Sequence, residues 1–564
     1  VNAELLRAQV AAPLRIDSAD AIDWHGETDI AVVGYGAAGA CAALEAAEQG
    51  ADVRVLDRLD GGGASALSGG VVYAGGGTEF QRRAGENDSV ENMLEYLKRE
   101  TGGVVSEQTL RRFCSDSIAN LDWLQHCGVP FDGTAYDKKT SYPPEGYFLY
   151  YSGNELCAPY RDLAQPVRRG HRVRGEHFTG RVLFDCLHRA VQGRGNIRVE
   201  NHCEVSRLIL DRRGHVLGLE YLQAPRNRAV RKLMRILNRF ANRFVVLEPR
   251  IGSAVRRLVH WLRKRGSIQR LRVSRGVILA AGGFIFQRRL LQQYAPAYIN
   301  IRPLGEDCNG SGIALGASVG GTVEHMHRIS AWRFFAPPDC LLKGLVVDGR
   351  GQRICNEDLY GATTADRVTE AGGRAFLILD EKLMREARAE ARPGKMPWHQ
   401  WLPARLFLHA SSSRAGDPAS LAQRCGFDSA ALKHTLDSYN TGAAAGRDFL
   451  GKAEQYLQPL GPGPYYAIDI SVHNTRVPCP AITLGGLVVD EDSGAVLDEK
   501  GGAIGGLYAA GRNAVGICSH SYISGLSLAD CVFSGRRAAR SVASAAAQSA
   551  AAPIDKKAEA VDVA

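Results

Sequence analysis

No stretch of the 564 residues approaches the ~18 consecutive apolar residues of a membrane-spanning helix. Residues 1–17, VNAELLRAQVAAPLRID, lack an apolar segment of the length a secretory signal needs. The 13 cysteines are odd in number and scattered, with no Cys-x-x-Cys pair and no Cys/His cluster at zinc spacing. That pattern argues against a structural metal and a disulfide framework, and the expectation is reduced thiols in a cytoplasmic protein. Acids are scarce in one place. Residues 226–265 hold 13 Lys or Arg and a single acid, Glu248, a local excess larger than the net +9 of the whole chain. The remainder is therefore mildly acidic, and with 45% hydrophobic and 23% charged residues it has an ordinary globular composition. The length allows two or three domains.

What is present begins at 29–58, DIAVVGYGAAGACAALEAAEQGADVRVLDR. Ile30 to Val33 form an apolar run fit for a buried parallel strand. Gly34-Tyr35-Gly36-Ala37-Ala38-Gly39 opens an Ala-rich helical pattern that Gly50 stops. Val53 to Leu56 form a second buried strand, ended by Asp57 and Arg58. Gly34 permits the tight turn, Gly36 a close approach of pyrophosphate to the backbone, and Gly39 close helix–strand packing. The helix N-terminus, with Ala37 and Ala38, offers N–H groups and partial positive charge to phosphates. Asp57 can accept hydrogen bonds from a ribose and disfavours an added 2′-phosphate. Strand, glycines, helix, strand and acid in register read as a dinucleotide-binding unit.

A second glycine-rich segment, 61–78, includes Ala64, Ser65, Ser68, Gly69 and Gly70. A nicotinamide dinucleotide does not need it, whereas an extended flavin adenine dinucleotide (FAD) needs a second close backbone approach. Near the C-terminus, 501–512 reads GGAIGGLYAAGR. The early glycine loops and the late LYAAG resemble the fumarate reductase and ketosteroid dehydrogenase superfamily of FAD enzymes. The resemblance implies an α/β fold: a Rossmann-like FAD-binding domain in two parts, 1–321 and 479–564, with an inserted α+β substrate-capping domain, 322–478. It also implies FAD contacts at Val205, at Ala281-Gly282-Gly283, at Asp307 and Gly310, at Gly511 and Arg512, and at Ser527 and Leu528. The 61–77 loop has no His for a covalent flavin bond, so FAD is expected to be non-covalent. No second dinucleotide motif appears, which argues against a further nicotinamide domain.

Between these motifs, apolar spacing predicts helices over 90–100, 106–127 and 183–191, and strands over 197–208, 216–221 and 271–279. The Tyr-, Pro- and Gly-rich 131–181, including GYFLYYSGNE at 146–155, reads as a substrate-pocket lining or as aromatic loop packing. His171 is either an acid–base group or a solvated or phosphate-facing side chain. In the basic segment, Val230, Leu233, Met234, Leu237, Ala241 and Phe244 share one helical face flanked by arginines. A second basic segment carries Val255, Leu258, Val259, Trp261 and Leu262. This is the pattern of an interfacial helix pair on an anionic membrane, where each basic residue adds about 1 kcal/mol. A solvated hairpin is the alternative, and no nucleic-acid fold surrounds the segment. The expected location is cytoplasmic, peripheral on the inner membrane face.

After Arg512 the sequence runs NAVGICSHSYISGLSLADCVFSG, with Tyr522 and Ser524 two apart ahead of a helix expected at 529–539. In an extended loop both hydroxyls point to one side. Tyr-x-Ser-Gly-x-Ser-Leu, with Asn356-Glu357-Asp358 two residues ahead of Tyr360, resembles the 3-ketosteroid Δ4-(5α)-dehydrogenase subfamily. The resemblance implies a catalytic trio of Tyr522, Ser524 and Tyr360, a 5α-3-ketosteroid substrate and an external electron acceptor. Tyr522, assisted by Ser524, would take the C4 proton, flavin N5 the C5 hydride, and Tyr360 would position the ketone. Three alternatives stay open: a Δ1-dehydrogenase, a fumarate-reductase-like enoate reductase, and a membrane-bound flavoprotein electron carrier. The superfamily's His ahead of the Leu-Gly-Gly turn is replaced here by Thr483, which argues against dicarboxylate chemistry.

Overall fold

The structure is a computed structural model that describes residues 3–244, 249–396, 398–474, 476 and 479–551. Residues 245–248 of the basic segment, the 478 end of the expected capping domain and the tail beyond 551 lie outside the described residues. The framework is a nine-stranded sheet. Its elements are β1 (Gly26–Val33), α1 (Ala37–Glu48), β2 (Val53–Asp57), β3 (Ile197–Asn201), β4 (Cys203–Leu210), β5 (Val216–Gln223), α2 (Arg228–Phe244), α3 (Pro249–Arg263), β6 (Ser267–Leu279), β7 (Ala503–Ala509) and α4 (Leu526–Ala551). The strand order is Leu14–Arg15, then β4-β5-β6-β1-β2-β3, with β7 beside β6 and Ala495–Leu497 beside β7. β6 pairs antiparallel with β5 over its first half and parallel with β1 from Leu271 to Leu279. The end of β6 also takes β7 as a parallel neighbour.

The period-2 alternation of a strand decides what this sheet buries. Along β1, Ile30 and Val32 pack on the face that holds α1 and α4, whereas Ala31 and Val33 pack on the opposite face. Both faces are covered, which is why β1 reads as an unbroken apolar run. α1 lies very close to the β1 turn, since a Cβ on Gly39 would sit 2.0 Å from the Gly34 carbonyl oxygen. α4 crosses α1 as closely, and a Cβ on Gly535 would meet the Ala38 carbonyl oxygen at 2.6 Å.

A second, four-stranded antiparallel sheet has the order Leu345–Asp348, Ala375–Asp380, Tyr465–Asp469, Ser412–Ala415. Helices Gly361–Glu370, Glu381–Glu390 and Ser429–Ala444 lie between its strands in sequence. The α/β framework with an α+β unit is the architecture the glycine motifs implied. A small sheet of Val71–Tyr73, Gly170–Arg172 and Leu149–Tyr150 carries the aromatic 146–155 stretch toward the glycine loop.

Several elements differ from the sequence expectation. The helix expected over 106–127 is two, Glu107–Ser115 and Ser117–His126, where Ser117 turns inward to accept a hydrogen bond from the Gly75 N–H at 2.9 Å. The strand expected over 197–208 breaks at buried His202, whose φ of 61° interrupts the extended backbone between β3 and β4. α4 starts three residues earlier than expected and runs far past 539. All 13 cysteines are unpaired and twelve are buried. No helix among the described residues is long and apolar enough to cross a membrane.

Candidate active site

A cleft with about 1210 Å³ of open space lies over the ends of β1, β2 and β6. It is lined by Gly34, Gly36, Ala37 and Ala38 at the β1 turn, by Asp57 and Arg58, and by Ala64, Ser65 and Ser68. Val205, Ala281, Gly282, Asp307, Arg512, Tyr522, Ser527 and Leu528 complete the set of expected residues that line it. Gly36 faces this space, because the nearest atom to an added Cβ is Ser65 Oγ at 3.5 Å. Ser65 Oγ accepts the Ala37 N–H at 3.1 Å and so ties the second glycine loop to the start of α1. Asp57 organises the same corner: one oxygen accepts the Tyr35 N–H at 2.8 Å and the other the Leu59 N–H at 2.8 Å. A carboxylate has about four acceptor sites, so capacity for a ribose remains.

Other expected contacts lie behind the lining and shape it by packing. Gly39 seats α1. Gly69 accepts hydrogen bonds at its carbonyl from the Tyr142 and Thr179 hydroxyls. Gly70, at φ 65°, abuts Thr179, where a Cβ would have no room. A Cβ on Gly283 would meet Thr483 Oγ1 at 1.9 Å, and Gly310 donates to the Gly283 carbonyl at 3.0 Å. Gly511, at φ 58°, donates to Ser534 Oγ at 2.9 Å.

At one end of the cleft the loop before α4 brings hydroxyls together. The Tyr522 ring lines the cleft and stacks on Trp332, centroids 5.4 Å apart. Ser524 Oγ bonds the Tyr150 hydroxyl at 2.9 Å, and its N–H donates to the Ser152 carbonyl at 3.0 Å. Tyr360 is buried near them and, like Ser524, is not part of the cleft lining. Its phenol is pushed far up by burial and by Tyr522 and Tyr150, and a hydrogen bond with Ser524 pulls it partly back. The Tyr522 phenol is also pushed up, by burial first and by Cys518 next, while the Gly525 N–H and the Arg512 charge pull it down. All three phenols are therefore neutral near pH 7.

Tyr360 is placed by a chain of bonds. Its N–H donates to Asn154 Oδ1 at 2.7 Å, and Asn154 Nδ2 donates to Glu100 Oε1 at 2.7 Å and Thr363 Oγ1 at 2.9 Å. The preceding Asn356-Glu357-Asp358 turns away from the cleft. Glu357 pairs with Arg353 at 2.7 Å and Lys452 at 3.0 Å, fully buried, and Asp358 accepts the Ala453 N–H. The acids of that motif thus brace the turn that presents Tyr360.

The sequence profile of the FAD binding domain family matches residues 29–525. The chain belongs to that family. It is 38% identical over 511 residues to 3-oxo-5-alpha-steroid 4-dehydrogenase of Comamonas testosteroni, covering 89% of this chain and 96% of that one. The crystal structure of 3-ketosteroid-delta4-(5alpha)-dehydrogenase from Rhodococcus jostii RHA1, in complex with 4-androstene-3,17-dione, superposes with a TM-score of 0.77 at 31% identity. That match covers 94% of this chain and all of the other. The 3-ketosteroid delta1-dehydrogenase of Sterolibacterium denitrificans shares the fold, with a TM-score of 0.64 at 21% identity, 92% of this chain and all of the other being covered.

As an FAD binding domain, the cleft suits its cofactor on its own chemistry. The open face of Gly36 and the N-terminus of α1 suit a pyrophosphate, and Asp57 suits a ribose. Arg512 Nη1 is buried without a hydrogen-bond partner among the described residues, a cation awaiting an acceptor. The N-terminus of α4, with Ser527 and Leu528 in the lining, presents positive dipole charge beside Tyr522. The glycines of the β1 turn read clearly from the sequence, but several lining residues carry no such signal. Glu204, Cys308, Trp332 and Cys531 line the cleft unannounced. Tyr150 lies within the stretch read as pocket lining or aromatic packing; it is fully buried behind the cleft lining, and its hydrogen bond to Ser524 ties that stretch to the loop before α4. His171 is neither solvated nor phosphate-facing. It is fully buried, bonded to Thr78 Oγ1 at 2.9 Å and to the Arg169 carbonyl at 3.0 Å, and burial lowers its pKa to about 4.

Proposed function

We propose that the chain is an FAD-dependent 3-oxo-5α-steroid 4-dehydrogenase that introduces a C4–C5 double bond into a 5α-3-ketosteroid. Tyr522, which lines the FAD cleft, and the hydroxyls of Ser524, Tyr150 and Tyr360 clustered behind it carry this reading. Both relatives described above that exceed 30% identity are named for this reaction. Bound FAD supplies the acceptor for the C5 hydride. Tyr522 takes the C4 proton at its phenol oxygen, helped by the Gly525 N–H and the Arg512 charge, which favour the phenolate. Tyr360 donates to the 3-keto oxygen and steadies the enolate charge that develops there. Ser524, held by Tyr150, fixes the distance between the two phenols. Trp332 offers a flat apolar wall to a ring system. The unit 322–478 caps the site by presenting Tyr360 from the N-terminus of Gly361–Glu370. The electrons leave to an external acceptor, and the oily substrate favours a station on an anionic membrane face.

Anaerobic mixing with a saturated 5α-3-ketosteroid, followed at the oxidised flavin band, tests the reaction. Stoichiometric bleaching with formation of a 4-ene-3-ketone is expected. Bleaching by a 4-ene-3-ketone instead would make the enzyme a Δ1-dehydrogenase. Bleaching by no steroid at all would leave an electron carrier.

A further inference from the structure

The hairpin α2–α3 fills the turn between β5 and β6 and has two unlike sides. Inward, Met234, Val259 and Leu262 are buried with Ala224 in a small core, and Val230 and Leu237 pack on it. The stripe expected from the sequence is thereby divided, because Leu233 faces out. Leu233 (46%) and Ile236 (54%) on α2, and Ile251 (43%), Leu258 (45%) and Trp261 (50%) on α3, are among the most exposed large apolar side chains of the protein. Spacings of three and seven keep each set on one side of its helix. Lys232, Arg239, Arg257, Lys264 and Arg265 are exposed around them, and the Arg265 guanidinium lies 3.5 Å over the Trp261 ring. A second copy would meet this surface with the same strong positive charge and be repelled. An anionic bilayer answers both features, taking the apolar side chains below the headgroups and the cations among them.

The other side of the hairpin rests on the cleft. Arg263, almost wholly buried, pairs with Glu204 at 3.0 Å, and Glu204 lines the cleft. Arg235 pairs with Asp60 at 3.2 Å, next to cleft-lining Leu59. The Arg256 guanidinium lies 4.6 Å over the Phe286 ring. Asp57 marks this end of the cleft as the one for the adenosine ribose. We infer that α2–α3 is a membrane-docking clamp, whose outer face seats on an anionic bilayer while its inner face holds the adenosine end of the cofactor cleft. The inference rests on the flavin reading of the cleft. Since both faces belong to one hairpin, bilayer binding and FAD retention are linked, and each strengthens the other by the same factor.

The test uses purified holoenzyme, its flavin band checked first, with phosphatidylcholine vesicles that contain or lack phosphatidylglycerol. Co-sedimentation with the anionic vesicles alone is expected, and it is lost in the Leu233→Ser/Leu258→Ser variant, whose changes are both on the exposed face. FAD release, read as the rise of free flavin fluorescence, slows roughly fivefold or more on anionic vesicles. The surface variant shows no slowing, and Arg263→Gln binds vesicles but slows less. Failure to sediment overturns the inference. So does a dimer that the surface variant breaks, which would make a second copy the occupant, and so do equal release rates with and without vesicles. A colourless protein that cannot be reconstituted overturns the flavin reading and this inference with it.

Discussion

Tyr522 is pulled in two directions. Burial favours its neutral phenol, while the Gly525 N–H and the Arg512 charge favour the phenolate. Burial prevails, so the base form is a small fraction at pH 7 and grows about tenfold per pH unit below the phenol pKa. The kcat/KM of the enzyme should therefore climb with pH from 7 upward. Tyr522→Phe should lower kcat by roughly 10²–10⁴-fold with the flavin band intact, and what activity is left should lose the pH slope. A flat profile in the unmodified enzyme would remove Tyr522 as the base. Tyr150→Phe deletes one neutral hydrogen bond to Ser524, worth about 1 kcal/mol. A fall in kcat of roughly fivefold at unchanged KM is expected, and steady-state kinetics reads it. Tyr522 and Ser524 could be named from the sequence because a local pattern surrounds them. The partnership with Tyr150 could not, since it joins residues 374 positions apart and no local spacing encodes it.

At the scale of elements, the β1–α1 turn shows two glycines with separate tasks. At Gly39 an added Cβ strikes the Gly34 carbonyl oxygen, which is backbone and cannot swing away, whereas at Gly36 it enters open cleft. Gly39→Ala should force α1 off the sheet, cost about 1–3 kcal/mol or more, and lower both the unfolding temperature and the flavin content. Gly36→Ala should keep the unfolding temperature of the apoprotein and weaken FAD retention alone. Equal losses of stability in the two variants would contradict the assignment. The strand–glycine–helix unit was legible because each of its constraints is local: chain reversal, close packing, a free helix N-terminus. The break between β3 and β4 at His202 was not, because a buried histidine at positive φ has no pattern ahead of it. The splitting of the apolar stripe on α2 was hidden for a related reason. Periodicity gives a face, and only the neighbouring α3 decides which part of that face is covered.

Across the whole molecule, the helix Val90–Thr101, the 146–155 loop and the helix that begins after Tyr360 meet at one buried acid. Glu100 accepts hydrogen bonds from Tyr96 at 2.7 Å and Asn154 at 2.7 Å, and Asn154 in turn holds the Tyr360 N–H. Burial raises its pKa to about 7, against the lowering effect of those two bonds. Its Oε2 has no partner among the described residues, as suits a carboxyl that keeps its proton. A raised pKa makes the folded state bind more protons than the unfolded one between pH 4.5 and 7, so the contribution of Glu100 is complete below 4.5 and is lost as pH rises through 7. The size is on the order of 3 kcal/mol across that window. Asp366, raised by burial to about 7, acts in the same sense. Glu357 and Asp88 act in the opposite one, being held below their usual range against burial, by Lys452 and Arg353 in the first case and by Arg169 in the second. Their contributions are lost in acid, so the two sets of carboxyls oppose one another as pH falls. Glu100→Gln keeps the acceptor for Tyr96 and Asn154 without the titration. Unfolding temperatures of the two proteins should converge at the acid end of the window and separate toward pH 7, where the variant is the more stable. If the two curves run parallel from pH 4.5 to 7, Glu100 is ionised in the fold and does not carry its proton at the joint that sets Tyr360.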